Sequence, residues 1–480
     1  MKTNNLFWLL IACLSISFLS CEKEENHGEI REPVSGVTLK VNNFIYDDVK
    51  DYYLWTSSIK WNSFDPKYEP DSYDFFDKLI YKTVDQWSML TDDAQGMYDM
   101  LDGVSTSFGY ELIWGRFANS SARYAIILYV YPGSPAEKAG LKRGEFLVFI
   151  NGNQDITDAN YMDLYNAPSI ILGKAFLADD GYLVPDTNLV YMEAVTMYED
   201  PVVKDTVVVK GTHKIGYLCY TNYTRESEQQ LQEVFTGFKT QGVTDVVLDL
   251  RYNGGGYAET SRILSSMLAP EPVIKRKDIF LTQTWNDELT AYFKQQGEDT
   301  NEYFKDNVPV NMDLSRLYVL TLRFSASASE ATMIGLKPYM DVIQIGEATH
   351  GKYYGGVLLS PMVYDSRKET WITDTEIENW LLYLMVYRYA DRTGDTSFSG
   401  GLIPDFQVKE EYKFALPPLG DECDPLFGKA IELITGESVR TRSAQSQPHP
   451  HKIDGVTLRS PLNGKMIRPL YKKQSDSFNE

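Results

Sequence analysis

The spacing of apolar residues changes twice along the chain. Between residues 37 and 105 apolar side chains recur at helical spacing, which predicts a small helical domain. From about residue 106 they alternate as in strands, so residues 106–205 are predicted to form a β-rich domain. From residue 214 onward short apolar stretches alternate with amphipathic helical segments, a pattern typical of βαβ units. We therefore expect residues 206–436 to form an α/β core.

Four buried strands are predicted in the first part of this core, at residues 215–220, 246–250, 317–322 and 341–345. Residues 226–239 form an amphipathic helix between the first two strands. The acidic and aromatic segment from about 275 to 312 interrupts the alternation, and we interpret it as a lid or a surface insertion.

Two reactive side chains follow successive predicted strands. Ser327 opens a helix after the strand at 317–322, and Lys352 ends the loop after the strand at 341–345. Reactive groups in an open α/β sheet collect where strands end, so the two residues could meet in one cleft. A purely structural interpretation also exists, because Ser327-x-x-Glu330 has the pattern of a helix capping box.

A glycine-rich loop follows the strand at 246–250, in the string D-L-R-Y-N-G-G-G over residues 249–256. Three glycines after a strand permit close backbone approach and can direct amide groups at an anion. An ordinary flexible turn is the alternative.

The string S-A-S-A-S-E over residues 325–330, followed by Lys352, resembles the active-site signature of the carboxyl-terminal processing (tail-specific) serine peptidases. This resemblance implies a crotonase-like α/β protease core with Ser327 as nucleophile and Lys352 as general base. It also implies an oxyanion hole formed by the amides of Gly255 and Ala328. Many members carry a glutamine four residues after the lysine, whereas this chain has Gly356 there.

For this chemistry Lys352 must be a neutral amine near neutral pH. An exposed lysine has a pKa of about 10.4, so burial must lower the pKa of Lys352 by about 3 units. The resemblance implies no cofactor and no metal.

Residues 134–152 closely resemble the signature of bacterial PDZ domains, beginning S-P-A-E-K-A-G-L and ending I-N-G. The resemblance implies a PDZ-like domain over 106–205 that binds extended peptides and holds their terminal carboxylate. We place the carboxylate loop at Gly109 and Tyr110.

Inventory of the sequence disfavours other mechanisms. There is no G-x-S-x-G and no H-E-x-x-H string, and no Cys/His cluster has metal-ligand spacing. The string G-E-A-T-H-G-K at 346–352 imitates a phosphate-binding loop, but Tyr353 follows where Ser or Thr is needed. The formal charge of -21 excludes an extended nucleic-acid surface.

The pattern of the N-terminal residues predicts that the protein is exported. Residues 1–20 have the pattern of a signal peptide, and Cys21 follows a lipobox-like string, which predicts acylation of Cys21 and a tether over 21–36. A plain secretory signal is the alternative. Lipidation would place the protein in the cell envelope, anchored to the outer membrane on its periplasmic or outer face.

The last segment, residues 437–480, is basic, polar and predicted to be mobile or loosely docked. Two functions stay open at this point. One is a membrane-tethered serine endopeptidase that acts on proteins with exposed C-termini. The other is a catalytically degenerate PDZ-type binding or scaffold protein, for which Gly356 is the sequence argument.

Overall fold

The computed structural model describes residues 32–117, 120–178, 183–396, 398–410, 412, 416–438, 451–452 and 466–468. The predicted signal peptide and Cys21 lie outside these residues. No helix in the described part of the chain has both the length and the apolar character needed to cross a membrane.

The first unit is mostly helical. Its α-helices are Gly36–Tyr52, Ser72–Leu79 and Ala94–Leu101, and its short 3-10 turns are Thr56–Ser58, Trp61–Ser63 and Pro66–Tyr68. One strand, Met89–Thr91, pairs antiparallel with the core strand Leu381–Ala390. Because this pairing joins the unit to a core sheet, its apolar side chains pack in the same cluster as those of the core.

The second unit is a twisted antiparallel sheet with two short helices. Its strands are Tyr110–Phe117, Arg123–Val130, Phe146–Ile150, Gln154–Asp155, Ser169–Leu177 and Leu183–Glu193, and its helices are Pro135–Lys138 and Asp163–Asn166. Val104–Ser107 and Val195–Tyr198 pair separately at its boundary with the core. Ser134 caps the first helix by accepting a hydrogen bond from Glu137 N, which explains the serine at the head of the S-P-A string.

The core contains a six-stranded sheet whose strands follow chain order. They are Val202–Lys210, His213–Tyr220, Asp245–Asp249, Arg316–Thr321, Asp341–Gly346 and Phe406–Gln407. The first pair is antiparallel and the others are parallel, with Val247 opposite Tyr318. The central strands are buried, as expected of a parallel sheet that is covered on both faces.

Six helices accompany this sheet: Ser227–Gln241, Ala258–Leu268, Glu271–Arg276, Asp287–Gln296, Ala328–Leu336 and Pro425–Thr435. The long helix before the second parallel strand ends at Gly242, which has the left-handed conformation (φ 70°) that favours glycine. The resulting βαβ units confirm the predicted α/β class.

A second sheet lies across the core, in the order Gly256–Tyr257, Met466–Arg468, Tyr354–Leu359, Leu381–Ala390, Ile279–Trp285 and Glu302–Tyr303. A separate hairpin joins Met362–Asp365 to Thr370–Thr373. The strand Ile279–Trp285 belongs to the segment that we interpreted as a lid or a surface insertion. That interpretation is wrong for this strand, because it pairs with Leu381–Ala390 inside the sheet.

The basic tail contacts both the PDZ-like unit and the core where the structure describes it. His451–Lys452 pairs antiparallel with Tyr110–Phe117. Met466–Arg468 pairs in parallel with Gly256–Tyr257 on one side and with Tyr354–Leu359 on the other. The expectation that the tail is mobile or loosely docked stays a prediction.

Buried charges join the PDZ-like unit to the core. The Arg143 guanidinium contacts the Glu410 carboxylate, and Arg251 Nη1 donates to Glu410 Oε1 at 2.9 Å and to Asp424 Oδ2 at 2.8 Å. Tyr252 donates a further hydrogen bond to Glu410 Oε2 at 2.6 Å. Burial acts to raise the pKa of Glu410, but the two guanidinium groups outweigh it and lower the pKa to about 2. Glu410 therefore stays ionised between the two units.

Candidate active site

Three adjacent parallel strands deliver the predicted site residues to one edge of the six-stranded sheet. Asp245–Asp249 leads to Gly255, Arg316–Thr321 leads to Ser327, and Asp341–Gly346 leads to Lys352. Parallel strands end on the same side of a sheet, so the three loops meet there. The structure thus brings together the residues that the sequence singled out.

Ser327 is the N-cap of the helix Ala328–Leu336 and is fully buried. Its backbone has φ 57° and ψ -111°, a conformation that is strained for a residue with a side chain and that clusters at functional sites. The capping box predicted as the structural alternative exists. Ser327 N donates to Glu330 Oε2 at 2.8 Å, and Ser327 Oγ faces the Glu330 amide. The Ser327 hydroxyl has no hydrogen-bond partner of good geometry among the described residues, so the expected bond to Lys352 is not formed here.

Gly255 packs directly against the serine. It has φ 115°, and a Cβ at this position would lie 2.9 Å from Ser327 Cβ and 3.2 Å from Ala328 N. Only glycine permits this approach. The Gly255 amide, however, donates to Asn253 Oδ1 at 2.8 Å. Its role as an oxyanion donor remains a prediction, and it requires that this hydrogen bond be exchanged for one to substrate.

The Glu330 carboxylate binds the backbones of both predicted catalytic residues. Its Oε2 accepts hydrogen bonds from Ser327 N at 2.8 Å and from Lys352 N at 3.0 Å. Its Oε1 accepts from Thr349 Oγ1 at 2.5 Å and from Gly351 N at 2.6 Å. The backbone nitrogens of Ser327 and Lys352 therefore lie within about 6 Å of each other, because both donate to the same carboxylate oxygen.

Burial raises the pKa of Glu330 to about 7, although its four hydrogen bonds act to lower it. All four donors are neutral, and neutral donors compensate for lost hydration less fully than cations do. Glu330 is therefore a carboxyl group that changes charge near neutral pH inside the site.

Tyr389 makes a second link between the two catalytic segments. Its hydroxyl oxygen lies 3.0 Å from Ser327 O and 2.5 Å from Lys352 O, so its proton is shared between two carbonyl groups. Burial raises the pKa of Tyr389, and the nearby charge of Glu330 raises it further. The hydroxyl group therefore keeps its proton and remains a donor.

The Lys352 side chain is fully buried beneath an aromatic cluster. Its Nζ lies 5.5 Å from the centroid of the Trp87 ring, within the range of a cation–π contact. Trp87 in turn packs against Tyr354 at 5.5 Å, and Trp55 contacts the same tyrosine at 4.9 Å. Burial lowers the pKa of the adjacent His350, and the charge of Lys352 lowers it further.

Gly356 leaves no room for the glutamine that the family resemblance implies at this position. A Cβ there would lie 2.5 Å from Tyr383 Cζ and 2.5 Å from Met385 Cε. The tyrosine ring is fully buried and occupies the space of any longer side chain. The orientation of Lys352 must therefore come from another part of the chain.

A cavity of about 530 Å³ opens beside this aromatic cluster. Its lining includes Trp55, Trp61, Trp285, Tyr354 and Arg388. The aromatic cluster that covers Lys352 thus has open space beside it. No group of three or more potential metal ligands occurs in the part of the chain that the structure describes.

The predicted peptide-binding residues lie at the start of the first PDZ-like strand. Gly109 has φ 80°, and a Cβ there would lie 2.2 Å from Ser134 Cβ, so the loop packs against the S-P-A string. Tyr110 is buried, and its hydroxyl group donates to Leu164 O at 2.6 Å. The assignment of these residues to carboxylate binding remains a prediction.

Sequence reasoning missed Tyr389, Trp87 and Thr349. Tyr389 lies in a strand whose alternating tyrosines and aliphatic residues signal burial and not contact with a particular loop. Thr349 lies three residues before Lys352 and was visible as a polar residue of the same loop. Trp87 stands in a polar stretch of the first unit, and nothing in its local pattern points to the lysine.

Family profiles match all three folded units. Peptidase family S41 matches residues 214–408, the peptidase S41 N-terminal domain matches residues 40–89, and a PDZ domain matches residues 126–163. Both Ser327 and Lys352 lie within the first match, and Trp87 lies within the second.

Characterised relatives are distant. The chain is 25% identical over 264 residues to the chloroplastic C-terminal processing peptidase of Tetradesmus obliquus, covering 52% of each protein. It is 24% identical over 344 residues to the carboxy-terminal processing protease CtpA of Bacillus subtilis, covering 68% of this chain and 66% of the relative. With the alga's enzyme, as with several other curated relatives, the match spans about half of the relative's length.

The fold is similar to that of a solved protein described as an S41 protease, from Bacteroides fragilis NCTC 9343. The TM-score is 0.68 at 24% identity, over 82% of this chain and 97% of that one. At this identity the likeness concerns the fold alone. The N-terminal, PDZ and peptidase profiles follow one another in the order of the three folded units, and the chain belongs to peptidase family S41.

Proposed function

We propose that the protein is a serine endopeptidase in which Ser327 is the nucleophile and Lys352 is the general base. One observation carries this proposal: Glu330 and Tyr389 each bind the backbones of both residues, which fixes the two reactive side chains on adjoining loops. A capping box alone needs Glu330 to bind Ser327, and it gives no reason for bonds to Lys352.

In the proposed reaction the neutral Lys352 amine takes the proton of Ser327 Oγ. The Oγ electron pair forms a bond to the substrate carbonyl carbon, and the carbonyl oxygen becomes an oxyanion. The amides of Gly255 and Ala328 are the proposed donors to this oxyanion, a contribution of about 3 kcal/mol per donor. Gly255 must first leave Asn253, and the Ser327 hydroxyl must approach Lys352, changes that substrate binding commonly brings about.

The peptide C–N bond then breaks, and the Lys352 ammonium gives its proton to the departing amine. Water then gives a proton to Lys352 and adds to the acyl carbon. The bond between this carbon and Oγ breaks, the Lys352 ammonium returns the proton to Oγ, and the new C-terminus leaves. No cofactor takes part in this scheme.

Substrates are proposed to be proteins or peptides with exposed C-termini. The PDZ-like unit supports this, since such domains bind extended peptides at a sheet edge and hold their terminal carboxylate. We place that carboxylate at Gly109 and Tyr110.

Acylation of Cys21 is proposed to anchor the protein to the outer membrane. The support is the lipobox-like string behind an apolar leader. Mass spectrometry of the N-terminus of the mature protein from its host decides this point. An unmodified start at another residue would make the enzyme a secreted one.

The central test uses the chain from residue 22 onward with an unfolded test protein. Wild type is expected to cleave it, and Ser327→Ala and Lys352→Arg are expected to lose cleavage, because guanidinium does not deprotonate in this range. Ser63→Ala is the control: it removes an exposed hydroxyl group of the N-terminal unit and is expected to retain cleavage. Cleavage that persists in Ser327→Ala would refute the nucleophile assignment, and a wild type without cleavage would favour the degenerate binding protein.

Recognition of C-termini is tested with paired peptides that differ only in amidation of the terminal carboxylate. Amidation is expected to weaken binding and to slow cleavage. Equal rates and equal affinities for both peptides would remove the proposed role of the PDZ-like unit.

A further inference from the structure

The general base must be held toward Ser327, and this chain has no glutamine to do so. Gly356 leaves no room for one, because Tyr383 and Met385 fill the adjoining space. The following inference rests on the proposed function of Lys352 as base.

Trp87 is the aromatic side chain over the lysine. Lys352 Nζ lies 5.5 Å from the centroid of its ring, and the lysine has no exposure to solvent. The segment that carries Trp87 is anchored on both sides. Trp87 N and Ser88 N both donate to the buried Asp85 carboxylate at 2.9 Å, and Ser88 Oγ accepts from Met385 N at 2.9 Å.

We propose that Trp87 of the N-terminal domain positions Lys352. The ring face attracts the ammonium form. When Lys352 takes the Ser327 proton, the positive charge therefore develops against an aromatic surface that already lies in place. Trp87 is thus a positioning residue that acts on the substrate only through Lys352.

Other groups around Lys352 also affect its charge. The Glu330 carboxylate accepts from Lys352 N, Tyr389 donates to Lys352 O, and the charge of Lys352 acts on His350. Asp85 lies behind Trp87, where it holds the Trp87 segment. Glu330 also changes charge near pH 7, so the pH profiles below are measured in Glu330→Gln as well, where only the lysine titration remains of the two.

The first readout is the pH profile of cleavage. Without the ring the ammonium form is less stable, so Trp87→Leu is expected to lower the midpoint of the rising limb by about one pH unit. Because the lysine is then a weaker base, the cleavage rate on the high-pH plateau should also fall by about tenfold. Because more of the lysine is neutral in the variant, the two profiles should converge at low pH.

Two further variants make this readout specific. Trp87→Phe keeps a weaker ring and is expected to fall between wild type and Trp87→Leu. Trp55→Leu removes a ring that contacts Tyr354 in the same cluster, and its midpoint is expected to equal that of wild type. A purely structural role of Trp87 would lower the rate at every pH and leave the midpoint unchanged, which would overturn the proposal.

The second readout does not need activity. In protein labelled with ¹³C at lysine Cε, the Trp87 ring current should move one resonance to high field, identified by its loss in Lys352→Arg. That resonance should return to the ordinary lysine position in Trp87→Leu and keep part of its shift in Trp87→Phe. If wild type cleaves nothing while this shift is present, the proposed function fails and the contact stands. If wild type cleaves and Trp87→Leu changes neither the resonance nor the midpoint, the positioning role is refuted.

Discussion

Two buried glutamates in this molecule have opposite electrostatic states. Glu410 lies between the PDZ-like unit and the core, in contact with the guanidinium groups of Arg143 and Arg251, and its pKa is lowered to about 2. Glu330 lies between Ser327 and Lys352, accepts hydrogen bonds from neutral donors, and has a pKa raised to about 7. Burial acts in the same direction on both, so the partners decide the difference.

The comparison separates a structural carboxylate from a responsive one. A carboxylate paired with cations keeps its charge at every physiological pH and fixes one domain on another. A carboxylate held by amides and a hydroxyl group is close to neutrality, and its hydrogen bonds reach both proposed catalytic residues. We expect changes at Glu410 to affect mainly stability and changes at Glu330 to affect mainly catalysis.

The largest expected effect is the loss of stability in Glu410→Gln. The substitution keeps the shape of the side chain but leaves the buried guanidinium group of Arg143 with only the longer contact to Asp424, at 3.8 Å, which should lower the free energy of unfolding by about 4 kcal/mol. Chemical denaturation measures this. The control is Glu432→Gln, which breaks a partly exposed pair with Lys429 and should change stability by less than about 1 kcal/mol. Equal effects of the two variants would contradict the comparison.

Glu330 and Glu410 should change the free energy of unfolding in opposite directions as pH rises. The folded pKa of Glu330 lies above its ordinary value of 4.5, so its contribution lowers stability as pH rises from about 4.5 to 7, by about 3 kcal/mol in all. The folded pKa of Glu410 lies below 4.5, so its contribution is present above pH 4.5 and is lost as pH falls toward 2. We would measure the free energy of unfolding from pH 2 to 8 in wild type and in Glu330→Gln. The difference between the two curves gives the contribution of Glu330. An identical slope in both proteins between pH 4.5 and 7 would contradict the raised pKa.

Glu330→Gln should also reduce cleavage by about thirtyfold, or about 2 kcal/mol. The amide nitrogen of glutamine cannot accept a hydrogen bond, so the two donors that contact one oxygen of Glu330 would lose their acceptor. Ser327 or Lys352 would then be held less firmly. Cleavage of a short peptide at saturating concentration measures the change. Unaltered cleavage together with unaltered stability would show that the carboxylate does not fix the site.

The smallest expected effect is that of Thr349→Val, which is similar in shape and removes one of the four donors to Glu330. Loss of this hydrogen bond should raise the pKa of Glu330 further, at an expense of about 1 kcal/mol in stability. The fall of stability that Glu330 causes between about pH 4.5 and 7 should therefore extend to higher pH in the variant. A change as large as that of Glu330→Gln would mean that Thr349 has a separate role.

The parts of the site that lie next to a strand end could be predicted from the sequence. Ser327, Lys352 and Gly255 each follow a buried apolar strand, and parallel pairing then brings the strand ends together without any further information. The role of each of these residues remains a prediction until the variants are measured. The family and the fold class are confirmed.

Tyr389 and Trp87 could not be predicted, because they reach the site through antiparallel pairing in the second sheet. That register depends on contacts between segments far apart in sequence, such as Met89 opposite Tyr383, and no local period encodes it. The strand Ile279–Trp285 was misinterpreted for a related reason. Its threonines and glutamine interrupt the apolar pattern, and only its distant partner strand reveals that it is internal.

The anchoring of Trp87 affects when a newly synthesised chain can complete its folding. Ser88, beside that tryptophan, is bonded to Met385, which lies 297 positions further along. Closing so long a loop is slow, and it must wait until the second partner has been synthesised. A chain that is not yet complete, or not yet folded, therefore contains Ser327 and Lys352 but lacks the proposed contact between Lys352 and the Trp87 ring. We therefore expect the proposed peptidase to lack full activity until the N-terminal domain has joined the core.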